Sequence, residues 1–312
     1  MTRPDPALSA PLSAAEVRAF SERRPGPGLV RAASHFGAIL ATGALIWWVS
    51  GRYGLLLALP LMLLQGFFIA FLFMALHEAA HRTVFTSRRA NLALGHLSGF
   101  LIVFPYEYYQ LFHWDHHRYT QDPERDPELV SASIPRSDTR LAIAYTGIVQ
   151  LVNRIRLHLR HALTGRVRAP WVPEKKRGRV VAEVRLYMAG YLALIAGSVA
   201  FGSGLLLWVW AVPLVLGQLF LRPYLYAEHT GCEHTRSAYE NTRTTYTAAL
   251  VRWFAWNMPY HVEHHAYPSV PFHALPALNT VISGRIRHPG RGYRAVTRQT
   301  WAWFRAARGG RA

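Results

Sequence analysis

Histidines occur in this sequence at three places with spacings that suit metal binding. Two boxes read H-x-x-H-H and a third reads H-x-x-x-H, and their members are His77, His81, His113, His116, His117, His261, His264 and His265. On a helix, positions i, i+3 and i+4 share a face because each residue advances by roughly 100°. We therefore expect the three imidazoles of each longer box to face one point.

The number of these histidines predicts two metal ions rather than one. Neutral imidazole binds zinc, copper, iron or nickel, and the ligand type alone does not select among them. Eight imidazoles exceed the four ligands of a tetrahedral ion, so two ions sharing one site account better for the count. His229, in the A-E-H text at 227–229, is a ninth candidate ligand.

Polar side chains lie beside the candidate ligands. A ligating imidazole usually donates its second N–H to a carboxylate or carbonyl, although an acidic side chain here also suits a solvated, strongly basic surface. The candidates for a supporting role are Glu78, Asp115, Glu228, Glu263 and Asn257. The remaining histidines are predicted to be structural or exposed, and these are His35, His96, His158, His161, His234, His273 and His288.

Apolar segments of spanning length predict an all-α membrane protein. Four transmembrane helices in two hairpins are expected, with short turns at 51–54 and 202–204. The predicted spans are about 29–50, 55–76, 186–201 and 205–226. The histidines follow the apolar segments, so we expect a helical cytoplasmic cap that carries a histidine-rich di-metal site. The second helix is expected to continue to His81, and 141–159 reads as a helix on a membrane face.

The distribution of positive charge predicts orientation. The net charge is +18, and sixteen lysines and arginines lie in 77–183, whereas the two hairpin turns contain only Arg52. This asymmetry places both termini and the histidines in the cytoplasm, and it accounts for the charge without nucleic acid as a partner. The single cysteine, Cys232, allows no intrachain disulfide.

Composition divides the chain into three parts. Residues 1–28 are rich in Pro, Ala, Ser and Arg and contain no apolar run, which predicts a mobile cytoplasmic tail and no signal peptide. Residues 29–283 form the expected membrane domain. Residues 284–312 read as a basic cytoplasmic tail.

The boxes H-E-A-A-H, H-W-D-H-H and H-V-E-H-H resemble those of the integral-membrane fatty acid desaturase and hydroxylase superfamily. The text at 119–127 and 257–271 is also similar to desaturase sequence, and the isolated A-E-H element resembles an additional ligand of that family. The resemblance implies a non-haem di-iron enzyme that uses O₂ and electrons to attack unactivated C–H bonds of lipid chains.

The resemblance favours a desaturase that introduces a double bond into a fatty acyl or related lipid chain. Alternatives are a di-iron hydroxylase or ketolase of a lipid, alkane or carotenoid and, more distantly, a membrane metal transporter. Some relatives carry a fused cytochrome b5 domain with an H-P-G-G motif, but the nearest text here, at 288–291, reads H-P-G-R. We therefore expect a separate electron donor, similar to ferredoxin or cytochrome b5, and a substrate dissolved in the bilayer.

Overall fold

The computed structural model describes residues 12–131 and 133–309, and these are mostly helical. The helices are α1 (Ala14–Phe20), α2 (Pro25–Tyr53), α3 (Leu55–His81), α4 (Arg88–Leu101), α5 (Tyr106–Tyr119), α6 (Pro127–Val130), α7 (Asp138–Tyr145), α8 (Ile148–Thr164), α9 (Glu174–Ala200), α10 (Val212–His229), α11 (Ala238–Asn241), α12 (Ala249–Phe254), α13 (His261–Ala266), α14 (Leu275–Ile282) and α15 (Tyr293–Arg308). Two strands, β1 (Arg243–Tyr246) and β2 (His288–Arg291), pair in parallel. The expectation of a purely helical fold is therefore wrong at this short ladder.

Three helices are long and apolar enough to cross a membrane: α2, α3 and α9. The first hairpin agrees with the prediction, since only Gly54, at φ 90°, separates α2 from α3. The helix α3 continues without a break to His81, as expected. The predicted fourth span at 205–226 is helical throughout, with a π-helical turn at Leu207–Ala211 that leads directly into α10. Three of the four predicted spans correspond to helices that are long and apolar enough to cross a membrane.

The predicted boundaries at both ends of the membrane domain differ from the structure. Residues 1–11 lie outside the described residues, but α1 begins at Ala14, and the boundary at 28 falls inside α2. Residues 284–309 are not a separate tail, because β2 pairs with β1 and Phe304 of α15 packs in a cluster with Leu141 and Tyr145. Apolar and backbone contacts with residues that are distant in sequence hold these segments in place.

The predicted helix at 141–159 is two helices, α7 and α8. Gly147, at φ 70°, lies between them, and a glycine adopts this left-handed backbone at little cost. The chain turns there because Gly147 packs directly on α10: a Cβ at this position would lie 2.9 Å from the Cβ of Gln218 and 3.1 Å from the Cβ of Arg222. The start of α8 is therefore fixed against α10.

The helix α3 is the centre of the fold, with α2, α4 and α10 packed around it. Its residues are buried almost continuously from Phe68 to Ala80. At Gly66 the backbones of α3 and α10 touch, since an added Cβ would lie 2.6 Å from the carbonyl oxygen of Pro213 and 2.8 Å from the nitrogen of Gly217. Both helices end in candidate ligands, so this contact helps to fix the relative positions of His81 and His229.

We predict that Gly66→Ala destabilises the protein by about 1–3 kcal/mol, the usual cost of overpacking a close contact. The measurement is the thermal unfolding midpoint of the purified protein in a mild detergent. Gly37→Ala is the matched control, because Gly37 lies in α2 with no atom within 4 Å of an added Cβ. That variant should be neutral or slightly more stable. Equal midpoints for the two variants would contradict the backbone contact.

Candidate metal centre

The histidines predicted as ligands converge in two neighbouring groups. Within each group the ligand nitrogens lie within 4.8 Å of one another. The five-histidine group comprises His77, His81, His113, His117 and His264. The three-histidine group comprises His116, His229 and His265. His261 lies beside the second group, with its Nε2 3.2 Å from Nε2 of His229.

Each H-x-x-H-H box is divided between the two groups, which corrects the expectation that its imidazoles face one point. In α5, His113 and His117 belong to the first group and His116 to the second. In α13 the i+3 residue, His264, belongs to the first group and the i+4 residue, His265, to the second. The reason is helical geometry, because i+3 and i+4 lie on opposite sides of i, roughly 100° apart. One short helix therefore serves two sites.

The nitrogens of the five-histidine group are spaced as ligands of one ion would be. Nε2 of His113 lies 2.7 Å from Nε2 of His81 and 3.1 Å from Nε2 of His117, which is 3.1 Å from Nε2 of His264. Two nitrogens at about 2.1 Å from an ion and at right angles would be about 3.0 Å apart. Both nitrogens of His77 are buried without a hydrogen-bond partner. Buried polar atoms are normally paired, so this group fits a metal ion.

In the three-histidine group, each imidazole is oriented through its other nitrogen. Nδ1 of His116 is 2.9 Å from Oδ1 of Asp126, and Nδ1 of His229 donates to the carbonyl of Asn241 at 3.1 Å. The Thr120 hydroxyl donates to the backbone of α5, so it accepts from Nδ1 of His265 at 3.2 Å. Each Nε2 is left to face the centre of the group, as second-sphere contacts do in metal sites.

Burial keeps most of these imidazoles neutral, which metal ligation requires. It lowers the pKa of His113, His117, His264 and His265 well below the ordinary value, with neighbouring imidazoles adding to the effect. The pKa of His229 falls to about 3 for the same two reasons.

His116 is the exception among these imidazoles. Burial lowers its pKa, but the carboxylates of Glu128 and Asp126 outweigh burial and raise the value to about 9. A metal ion held by His116 would displace this proton.

Of the predicted supporting residues, one reaches an imidazole. Oε1 of Glu228 is 3.5 Å from Nδ1 of His261. Glu78 instead accepts from the Thr83 hydroxyl and the Phe272 amide, and Glu263 accepts from Thr244 and Asn279. These two buried carboxylates tie together the segments that carry the ligands.

The other two predicted supporting residues make contacts away from the imidazoles. Asp115 pairs with Arg118 at 3.4 Å, and the Asn257 amide donates to the carbonyl of Phe272 at 3.0 Å. Asn257 also adopts a left-handed backbone with φ 56°, in the turn that leads into α13.

Sequence reasoning missed Asp126, the nearest carboxylate to a candidate ligand. It lies ten residues beyond His116, after a loop, so no helical spacing connects the two. Oδ2 of Asp126 also accepts from the Gln121 amide, which fixes the loop. The available signal was the Y-T-Q-D-P-E-R-D-P text at 119–127, which resembles desaturase sequence as a unit.

Three apolar helices of spanning length and two adjacent groups of buried histidines define a membrane protein with the donor set of a di-metal site. The family model described as fatty acid desaturase matches residues 53–297, which is most of the chain. The chain therefore belongs to the fatty acid desaturase family. Its relatives in that family imply that it is an oxidoreductase of lipid metabolism.

Several characterised proteins are similar to this chain at low identity. A fatty acid desaturase of Bacillus subtilis is 26% identical over 70% of this chain and 66% of its own length. A dihydrorhizobitoxine desaturase of Bradyrhizobium elkanii is 26% identical over 87% of this chain and 79% of its own. A zeaxanthin 4-ketolase of Chlamydomonas reinhardtii is 25% identical over 70% of this chain but only 43% of its own.

We predict that Asp126→Asn weakens metal retention about 10- to 100-fold, the usual effect of losing a carboxylate behind a histidine ligand. Metal content is measured after dialysis against graded chelator. Asp115→Asn is the matched control, since Asp115 lies in the same histidine box but forms its ion pair with Arg118, away from the imidazoles. Equal retention by both variants would contradict the role of Asp126.

Proposed function

We propose that the protein is an O₂-dependent di-iron desaturase that introduces a double bond into a fatty acyl or related lipid chain. The observation that carries this proposal is the division of eight histidines into two adjacent groups, with His261 beside the second, within a member of the fatty acid desaturase family. The five-histidine group would hold one iron ion. The three-histidine group, with His261, would hold the other.

The overall reaction removes two hydrogens from adjacent carbons and reduces O₂ to two waters, with two electrons and two protons from a donor. Iron bound by the histidines would supply an oxidant strong enough to remove hydrogen from a methylene. The part of the protein is to hold the substrate against the site and to exclude water. Desaturation and hydroxylation differ only after the first hydrogen is removed, so placement of the chain decides between them.

A cavity of about 1530 Å³ provides the space for a substrate. Phe73 and Tyr109 line it, each one turn before a candidate ligand on its own helix, and their rings are 5.2 Å apart. The ring of Tyr109 also stacks on His113 at 5.3 Å. Because His229 borders the same cavity, a chain lying there would meet both aromatic rings and the three-histidine group.

A ketolase or hydroxylase is the second candidate. The similarity to a zeaxanthin 4-ketolase supports it, because that enzyme oxidises a carbon rather than forming a C=C bond. The same histidines and the same cavity would serve, with the substrate carbon held so that oxygen is added. The metal transporter has no support from the family.

The first test of the proposed function is the mass of the product. In a host supplied with defined lipids, we expect a product lighter by two hydrogens; gain of one oxygen would instead establish the second candidate. His264→Ala should reduce product by more than about 100-fold, since loss of a ligand exceeds loss of a residue supporting one. His273→Ala, outside both groups, should retain activity. Full activity of His264→Ala would contradict the assignment.

We also propose that the histidine-bearing face is cytoplasmic and receives electrons from a separate acidic protein, such as a ferredoxin or a cytochrome b5. The excess of arginine and lysine on this side supports both parts of the proposal. Trp114 lies between two candidate ligands with 41% of its surface exposed, and the guanidinium of Arg82 lies 5.6 Å from the centroid of its ring. Arg118, also exposed, follows on the same helix.

Arg118→Glu is expected to slow reduction by an acidic donor about 10-fold at low salt, because steering depends on charge near the docking surface. Metal content should not change. The matched control is Arg52→Glu, in the hairpin turn at the opposite end of the first two spans. The rate of reduction is measured by stopped flow. Equal rates for Arg118→Glu and Arg52→Glu would contradict the docking face.

A further inference from the structure

The cavity beside the three-histidine group is strongly basic. Its lining includes seven arginines but only two carboxylates, those of Asp126 and Glu128. The arginines are Arg136, Arg140, Arg154, Arg160, Arg166, Arg168 and Arg222. A pocket for a purely hydrocarbon substrate requires no such charge. The lining indicates a ligand with an anionic part.

Arg154 and Arg222 form the inner pair of this lining. Arg154 donates to the carbonyl of Ile102 at 3.0 Å, and its guanidinium lies 4.8 Å from the ring centroid of Phe104. The guanidinium of Arg222 lies 4.8 Å from the ring centroid of Tyr226. In both arginines Nε is buried without a hydrogen-bond partner. Each side chain is therefore held in place with donors still free.

The two guanidinium groups form no ion pair within residues 12–131 and 133–309. The charge of the Glu128 carboxylate interacts with that of Arg222. Burial, and then the charge of Arg222, lower the pKa of Arg154 to about 10, so it remains protonated at neutral pH. Half-buried like charges are unfavourable unless an anion lies between them.

The polar stripe of α8 faces inward and its apolar stripe faces outward. Gln150, Arg154, His158 and His161 fall on one side of the helix at steps of four, four and three residues, and all line the cavity. Each has a buried polar atom without a partner, and His158 is 0% exposed with neither ring nitrogen bonded.

The opposite side of α8 is apolar and exposed, as the contact of a helix with lipid would be. This apolar stripe consists of Ile148, Val152, Ile155 and Leu159. The polar face of α8 therefore does not contact lipid, and its side chains are available to a ligand in the cavity. His158 and His161, expected to be structural or exposed, belong to this face.

The helix α10 connects the basic pair with the metal centre. Arg222 and His229 are seven residues apart, so they lie on one face with their Cα atoms roughly 10 Å apart along the axis. Both line the cavity. Because Gly147 holds the start of α8 against Arg222, the two arginine-bearing helices enclose one end of the space that His229 borders. A ligand held at the arginines would extend toward the histidines.

We propose that Arg154 and Arg222 bind the anionic head group of the substrate, a carboxylate or a phosphate monoester, at the end of the cavity away from His229. Arginine suits both anions because its planar group donates two parallel hydrogen bonds. The substrate class is then an amphiphile with one acidic end and a chain that reaches the metal centre. This inference deepens the proposed function, since it takes the occupant of the cavity to be the substrate.

The test measures equilibrium binding to the full-length purified protein in a neutral detergent by isothermal titration calorimetry. The probes are palmitate, hexadecyl phosphate and hexadecanol, which share a sixteen-carbon chain and differ in the head group. We expect both anions to bind at least about 10-fold more tightly than hexadecanol, as charged hydrogen bonds imply. The tighter of the two anions identifies the head group.

Two variants test the arginines. Arg154→Gln and Arg222→Gln should each weaken binding of the preferred anion about 10-fold and leave hexadecanol unchanged. Arg156→Gln is the matched control, because Arg156 is exposed on α8 and does not line the cavity. If Arg154→Gln does not fold, Arg154→Lys replaces it. This variant should bind the preferred anion more tightly than Arg222→Gln does.

Equal affinity for the anions and hexadecanol would overturn the inference, and so would equal weakening by Arg156→Gln and Arg154→Gln. Failure of the proposed function is a separate outcome. If the protein binds the anions through these arginines but yields neither a desaturated nor an oxygenated product, the head-group site is supported and the assigned reaction is contradicted.

Discussion

The packing of nine imidazoles with their nitrogens turned toward one another is the constraint on which the structure depends. Burial keeps most of these rings neutral, and several of their nitrogens have no protein partner. Such an arrangement is unfavourable without an electrophile to share the lone pairs. The fold resolves it by bringing α3, α5, α10 and α13 to one place, where two metal ions can be held.

The contacts that surround the histidines follow from this constraint. The close approach of α3 and α10 at Gly66 brings the ends of both helices together. Glu78 and Glu263 join distant segments through hydroxyl, amide and backbone donors, and Asp126, Asn241 and Thr120 orient individual rings. The same helices leave a basic cavity on one side, so the site and the space for its substrate have a common framework.

Sequence indicated well which histidines come together, because the spacing within each box is local. The i, i+3, i+4 spacing identified every histidine of the two groups except His229, which the A-E-H text indicated, and the absence of a helix breaker predicted that α3 continues to His81. The division of each box between two groups was not predicted, because it depends on which helices face each side. Asp126 was missed because a loop, not a helical repeat, brings it to His116. His158 was expected to be structural or exposed, and its buried position in the lining of a cavity was not predicted.

The most direct test of a di-iron centre is the metal content of the protein as purified from an iron-replete host. Elemental mass spectrometry should find two iron atoms per chain, since two groups of imidazoles that could each hold a metal ion are available. One metal atom per chain, or zinc in place of iron, would contradict the account.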